Sequence, residues 1–402
     1  MTSFDEVETM QFDKIRVSPT TTRNVRKVEA TANRVVRSVD RILGKLRLGG
    51  RKAPYDDTSY EFLGGSADTL RKKHYDKSLR LLWKAEDQAP YLGFKDCTVV
   101  EKQLHEMAFR GMNDEEKAQL SRLSTREYKT LLDREYTLRE KQAIVSILSA
   151  IGHGEAYAWL VSAQLLAEVQ STGARAALTM QVLEEAKHFL VLRELVRAFD
   201  VEIPRLTAPE YLMLEQVIKA KGTEKLFGMN VVVEGIALGI FGMMSHLPGL
   251  EVLRLFHLDE SRHTGLPNNY FREFPLANGQ RKHPLRRLRR LGMLVPALLL
   301  IPMLEDDLAE LGIDVFEFGG SVIRKIGVLA KRNNFDLPAD TDTLLGLVNK
   351  GINAYGDLAR PNHVRRDYIH GETTRGVDEL EVEGEVFEGK TASARAQRIR
   401  AA

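Results

Sequence analysis

From Leu226 to Met244 the chain reads LFGMNVVVEGIALGIFGMM, a stretch of nearly membrane-spanning length with a single charge, Glu234, at its middle. A helix with that sequence is apolar on every side and has to lie inside something apolar. A bilayer is a poor host, because a carboxylate at the centre of a spanning helix costs roughly 2.5 to 3.5 kcal/mol on insertion scales. A second apolar stretch, Leu291 to Leu304, is too short to span and is interrupted by Pro296 and Pro302. Both read as helices surrounded by protein, and no transmembrane segment is expected.

The rest of the chain is helical in pattern. Apolar residues recur at Val25, Val28, Val35, Val39, Ile42 and Leu46, which predicts a basic amphipathic helix over Arg23 to Leu48. Further helices are expected at Asp68 to Trp83, Val99 to Phe109 and Asp114 to Leu123. Two capping boxes follow, Ser124 with Glu127 and Thr137 with Glu140, the second opening a long helix to about Gln170. Next come Ala174 to Phe199, Glu210 to Lys221, Thr223 to Ser245, and Leu250 to Gly265 ending before Pro267. After these, Leu285 to Leu311 is expected to kink at its prolines, and Val315 to Lys331 and Asp342 to Leu358 complete the series. No stretch alternates with period two, so the class is all-α. The expected divisions are 1–137, an N-terminal helical extension; 138–266, the core; 267–360, C-terminal helices packed on the core; and 361–402, a disordered tail that is acidic over Glu372 to Lys390.

With 58 basic and 56 acidic side chains, the chain has no overall bias toward nucleic acid. Its one cysteine, Cys97, excludes a thiolate metal cluster, so any metal ligands must be nitrogen or oxygen. The opening MTSFDEVETM lacks the basic start and apolar run of a secretory signal, which suggests a cytoplasmic protein.

Glu-x-x-His occurs twice, as Glu185-Ala-Lys-His188 and Glu260-Ser-Arg-His263. Three residues apart on a helix, carboxylate and imidazole share a face and can address one ion. Each motif follows a helix with a carboxylate on its apolar side: Glu234 before the second, and Glu155, in line with Ile144, Leu148 and Ile151, before the first. Glu168 projects away from that stripe and reads as surface. In antiparallel hairpins the paired groups fall at similar heights. Four buried carboxylates without basic partners would be severely destabilising, and two divalent ions would neutralise them while neutral imidazoles complete the site.

This layout resembles the ferritin-like di-iron carboxylate superfamily, a four-helix bundle in which two helices give one Glu each and two give Glu-x-x-His. The resemblance covers about residues 138–266 and implies a ferritin-like four-helix bundle with additional N- and C-terminal helices. By its pattern Glu155, Glu185 and His188 bind mainly one iron and Glu234, Glu260 and His263 the other, with one or two glutamates bridging. The doubled form Glu184-Glu185-x-x-His188 and Asp259-Glu260-x-x-His263 is similar to acyl-carrier desaturases and their oxygenase relatives. Glu184 and Asp259 are suited to accept the ring N–H of the opposite histidine. Gln181 and Asn230, one turn before Glu185 and Glu234, are further candidates to support the ligands.

Several positions depart from individual branches. Leu192 stands where ribonucleotide reductase small subunits carry a radical tyrosine, and Ala237 and Leu238 where hydroxylases and desaturases have a threonine. Phe256 stands where arylamine N-oxygenases have an extra histidine, with His257 one position off, either a surface histidine or a seventh ligand. Gly228, Gly235, Gly239 and Gly242 fall on one side of the Glu234 helix, making either a close helix contact or a slot walled by Phe227, Phe241, Met243 and Met244. The basic clusters Arg23 to Arg47 and Arg281 to Arg290 are either solvated faces or docking sites for an acidic carrier, an anionic substrate or a membrane surface.

The resemblance implies an oxidoreductase of the monooxygenase or oxidase kind that uses two iron ions, Fe/Fe or Mn/Fe, with O2 as co-substrate, to oxidise an apolar or carrier-bound organic substrate. Electrons would come from an external reductase or ferredoxin, since no flavin or nicotinamide motif is present, and the chain is compatible with a homodimer. The alternative is an iron-handling ferroxidase or store with the same ligands and no organic substrate.

Overall fold

A computed structural model describes residues 17–45, 123, 126–169 and 172–370. Among the described residues the structure is helical, with no strand. Helix α1 (Pro19–Lys45) is moored by its first turn, where Thr21 Oγ1 donates to Ala359 O and Thr22 Oγ1 to Asp306 Oδ1 at 2.8 Å. Farther along, Val28, Val35, Val39 and Ile42 are exposed. The helices expected between Asp68 and Leu123, and the capping residue Ser124, lie outside the described residues.

After α2 (Arg126–Glu135), the chain enters α3 (Leu138–Glu168) through the Thr137/Glu140 capping box, with Thr137 N donating to Glu140 Oε2 at 2.8 Å. A short link leads to α4 (Thr172–Ala198), packed back along α3 as an antiparallel hairpin. Asp200, with φ of 54°, turns the chain after α4 toward α5 (Ala208–Lys219), whose own box joins Thr207 N to Glu210 Oε2 at 3.2 Å.

The apolar stretch forms α6 (Thr223–Phe227), a π-helical turn over Gly228–Val233, and α7 (Glu234–Met244). It returns through α8 (Leu253–Glu273), which packs along α7 as a second hairpin. The expected stop before Pro267 is overturned, since α8 runs through that proline. Proline has no N–H to give the carbonyl four residues earlier. That carbonyl, His263 O, accepts instead from Asn230 Nδ2 at 2.9 Å.

The short α9 (Asn278–Arg281) precedes α10 (Pro284–Met303) and α11 (Glu305–Glu310), so the expected Leu285–Leu311 helix breaks at Leu304. Helices α12 (Val315–Arg332) and α13 (Thr341–Ala359) follow. Helix α10 packs on α5 and α12, α11 on α3, and α12 on α7. Two helical stretches, Leu138–Glu168 and Thr223–Met244, are long and apolar enough to cross a membrane, but their most apolar windows are 72% and 94% buried inside the protein.

Two expectations change here, and the choice between a close helix contact and a slot is decided for the contact. The tail does not leave the body at Pro361: Tyr368 and Ile369 are buried, and Arg324 Nη1 donates to Ile369 O at 3.0 Å. Residues 371–402 lie outside the described residues. The second basic cluster is not one solvated face. Arg290 is fully buried in a two-pronged pair with Glu224 (2.7 and 2.9 Å), and Arg287 Nε donates to Leu337 O at 2.6 Å. The glycines of the Glu234 helix do not share one open side. A Cβ on Gly228 would meet Val217 and Met293 of α5 and α10 at 2.8 and 3.1 Å. One on Gly235 or Gly239 would meet Ile326 or Val322 of α12 at 2.9 and 2.8 Å. Those approaches are filled by neighbouring helices, so they are close packing and not a slot.

Candidate metal centre

Four helices deliver the cluster: α3 brings Glu155, α4 brings Gln181, Glu184, Glu185 and His188, α7 brings Glu234, and α8 brings Asp259, Glu260 and His263. Glu155, Glu185, His188, Glu234, Glu260 and His263 are all at most 3% exposed. Ligand atoms of Glu155, Glu185, His188 and Glu260 lie within 4.8 Å of one another, and so do those of Glu185, Glu234, Glu260 and His263. The two groups share Glu185 and Glu260, the glutamates of the two Glu-x-x-His motifs. The cluster can therefore hold metal ions, with the shared pair facing both positions.

The hydrogen bonds around the cluster show which atoms are left over. His188 Nε2 lies 3.1 Å from Asp259 Oδ2, and His263 Nε2 lies 2.9 Å from Glu184 Oε2, so each ring turns Nδ1 inward. Arg262 donates to both Glu184 (2.6 Å) and Asp259, and Lys187 Nζ reaches Asp259 at 3.4 Å. Gln181 Nε2 donates to Glu185 Oε1 at 3.2 Å and to Glu234 Oε1 at 2.9 Å. Asn230 Nδ2, on the π turn, donates to Gln181 Oε1 at 2.9 Å as well as to His263 O. Phe256 stacks on the His188 ring with centroids 4.3 Å apart.

Inside this shell, Glu155 Oε2, Glu185 Oε2, His188 Nδ1 and Glu260 Oε1 are buried and have no partner outside the cluster. Two of them, His188 Nδ1 and Glu260 Oε1, are only 2.9 Å apart. Buried polar atoms without partners cost about 1–3 kcal/mol each, more for charged groups, and here the atoms converge on one space with only one another to face. A cation between them satisfies all of them together, so the donor set fits an oxygen- and nitrogen-ligated divalent ion.

Without such an ion the cluster holds protons. Burial raises the pKa values of Glu185 and Glu234 well above the ordinary carboxyl range, and their acidic neighbours add to the rise. Burial also raises Glu155. It disfavours charged imidazoles, yet Glu155 around His188 and Glu260 and Glu185 around His263 lift both histidines well above the usual value. Burial opposes ionisation of Glu260 too, but His263 overcomes it and holds that carboxyl below its usual range.

His257 is half-buried and outside both groups; burial and then Lys325 push its pKa down to about 3. Glu168 accepts from Gly222 N and pairs with Lys225, away from the cluster. One neighbour escaped the sequence reading: Glu210, which shares a cavity wall with Glu155 and Glu234. Its Thr207-x-x-Glu210 capping pattern was visible in the sequence; its approach to the cluster depends on how α5 packs. No protein-family model, curated protein or solved structure matches the chain.

Proposed function

We propose that α3, α4, α7 and α8 form a ferritin-like four-helix bundle holding two iron ions, and that the protein is a di-iron oxidoreductase acting with O2 on an apolar organic substrate. The observation that carries this reading is the set of four buried ligand atoms that converge on one space and have no partner outside the cluster. Four carboxylates balance two divalent ions, and two imidazoles complete the donors. When bound, such a pair supplies redox chemistry toward O2, with electrons from a separate reductase or ferredoxin.

The side chains have distinct duties. Glu185 and Glu260 serve both positions, Glu155 and His188 one, and Glu234 and His263 the other. Asp259 and Glu184 fix the ring tautomers by accepting from Nε2, which leaves Nδ1 free to ligate. Gln181 orients Glu185 and Glu234 through its amide. The apolar residues around the cluster exclude bulk water and strengthen these interactions.

An organic substrate, as opposed to a mineral store, is favoured by a cavity of about 80 Å³ between α10, α12 and α13. Its walls are aliphatic apart from Thr341, and Ile236, two residues beyond Glu234, forms part of them. Anaerobic Fe(II) titration followed by exposure to O2 tests the proposal. Binding of about two ions per chain with stoichiometric O2 uptake is expected. Accumulation of many ions per chain would favour an iron store, and no binding would remove the metal centre.

A further inference from the structure

A cavity between α3, α5 and α7 opens beside the cluster. Ala150 and Gly154, one turn apart on α3 and half-buried, lie at its outer side. Glu155 and Glu234 stand at its inner end, and Glu210 lines the wall between α5 and the centre. Its remaining lining is apolar, so every polar side chain facing it is an acid.

Two of these residues are unfavourable for folding in ways the cluster does not require. Gly154 is in the middle of α3, where glycine is about 0.5–1 kcal/mol worse than alanine. Packing does not demand it, because a Cβ built there meets nothing within 4 Å. Glu210 is 2% exposed, with Oε2 tied to the Thr207 cap and Oε1 buried without a hydrogen-bond partner. Burial, resisted by the cap hydrogen bonds, pushes its carboxyl up to about 8. Glycine leaves open space on the half-buried side of the cavity, and a carboxyl oxygen without a partner belongs to a residue of its wall.

Resting on the reading of the cluster as a metal centre, we infer that this cavity is the route by which divalent cations reach it, with Glu210 receiving the ion between Gly154 and the inner pair Glu155 and Glu234. Ligand chemistry selects the guest, since three carboxyl groups and no base offer oxygen ligands to a cation that displaces their protons and nothing to an anion. Size agrees: the cavity measures about 20 Å³, room for roughly one water-sized particle. An ion that has shed most of its water fits, and carboxylate oxygens replace that water for a hard cation. The larger aliphatic cavity on the other side of Ile236 has no acid in its walls, so it suits an organic molecule and not an ion.

A route residue changes the rates of arrival and departure together and leaves the equilibrium alone, whereas a ligand changes the equilibrium. The test uses full-length protein, Co2+ as probe, stopped-flow absorbance for uptake and excess chelator for release. Gly154→Leu and Glu210→Gln are each expected to slow both processes by about tenfold or more, with ions per chain and dissociation constants unchanged. Gly154→Ala, which adds one methyl in open space and favours the helix, is expected to give a smaller slowing in a securely folded protein. Wild-type rates in Gly154→Leu and Glu210→Gln would overturn the route, and so would a weakened equilibrium constant in Glu210→Gln. Failure of the wild type itself to bind Co2+ would instead bring down the metal centre on which the inference rests.

Discussion

His263 Nε2 lies 2.9 Å from Glu184 Oε2, although the two residues belong to different helical hairpins. His188 and Asp259 make the reciprocal contact, and Arg262 bridges the two carboxylates, so each hairpin orients the other's imidazole. Glu184→Ala leaves all six candidate ligands in place and is expected to weaken metal binding about 10- to 100-fold. Competition against a chelator of known affinity measures it. Wild-type affinity in the variant would reduce Glu184 to a partner of Arg262.

Glu234→Leu separates the stability of the cluster from its chemistry. Without metal, the Glu234 carboxyl is held protonated by burial and by Glu260, or is charged at a cost, and leucine of similar size removes that burden. Gln181 loses one acceptor, worth about 1 kcal/mol, but keeps Glu185. The metal-free variant is expected to melt no lower than metal-free wild type while losing O2 consumption after iron loading. A clearly lower melting temperature would show that the carboxylate holds the fold together by itself.

Metal loading should release protons. His188, His263, Glu185 and Glu234 all have raised pKa values, so the metal-free cluster is biased toward its protonated forms. Ligation needs the deprotonated forms, so loading two ions displaces protons and apparent affinity falls as the pH is lowered. Calorimetry in buffers of different ionisation heat counts those protons. Equal apparent heats in all buffers, together with an affinity that does not change between about pH 6 and pH 8, would contradict the assigned protonation states.

Truncation maps the end of the folded body. Ending the chain after Pro361 strips away Tyr368 and Ile369, whose buried side chains are worth about 1.5–3 kcal/mol each. The melting temperature is expected to drop. A chain ending after His370 keeps both residues and should melt above the shorter one. Gly320→Ala acts on the same contact, because its Cβ would sit 2.0 Å from Tyr368 O. Equal melting of both truncations would mean that the segment contributes nothing to stability.

The helical class was legible because apolar positions repeat with the helical period, and the two Glu-x-x-His motifs because that spacing puts both groups on one face. Glu155 and Glu234 stood out as charges in apolar surroundings, and their approach to the motifs then followed from hairpin geometry. What could not be read depends on neighbours distant in sequence. Arg290 looks like any surface arginine until Glu224 is brought beside it, and Pro267 looks like a helix stop until Asn230 takes the carbonyl it frees. Tyr368 and Ile369 sit in a segment too short to show periodicity, and the position of Glu210 follows from the docking of α5.

The π turn at Gly228–Val233 also sets the angular phase of the longest apolar stretch. On an unbroken α-helix, Gly228 and Gly235 would point within about 20° of each other. Here Gly228 meets α5 and α10, while Gly235 meets α12. The extra residue turns the later half by about 100° relative to the earlier one. Each half can then satisfy its own packing partners, and Glu234 begins the half that is aimed at the cluster. Losing a single residue from this turn would rotate Glu234 against Gln181 and Glu260 without altering any side chain there, so the length of the segment is as much a part of the site as its ligands are.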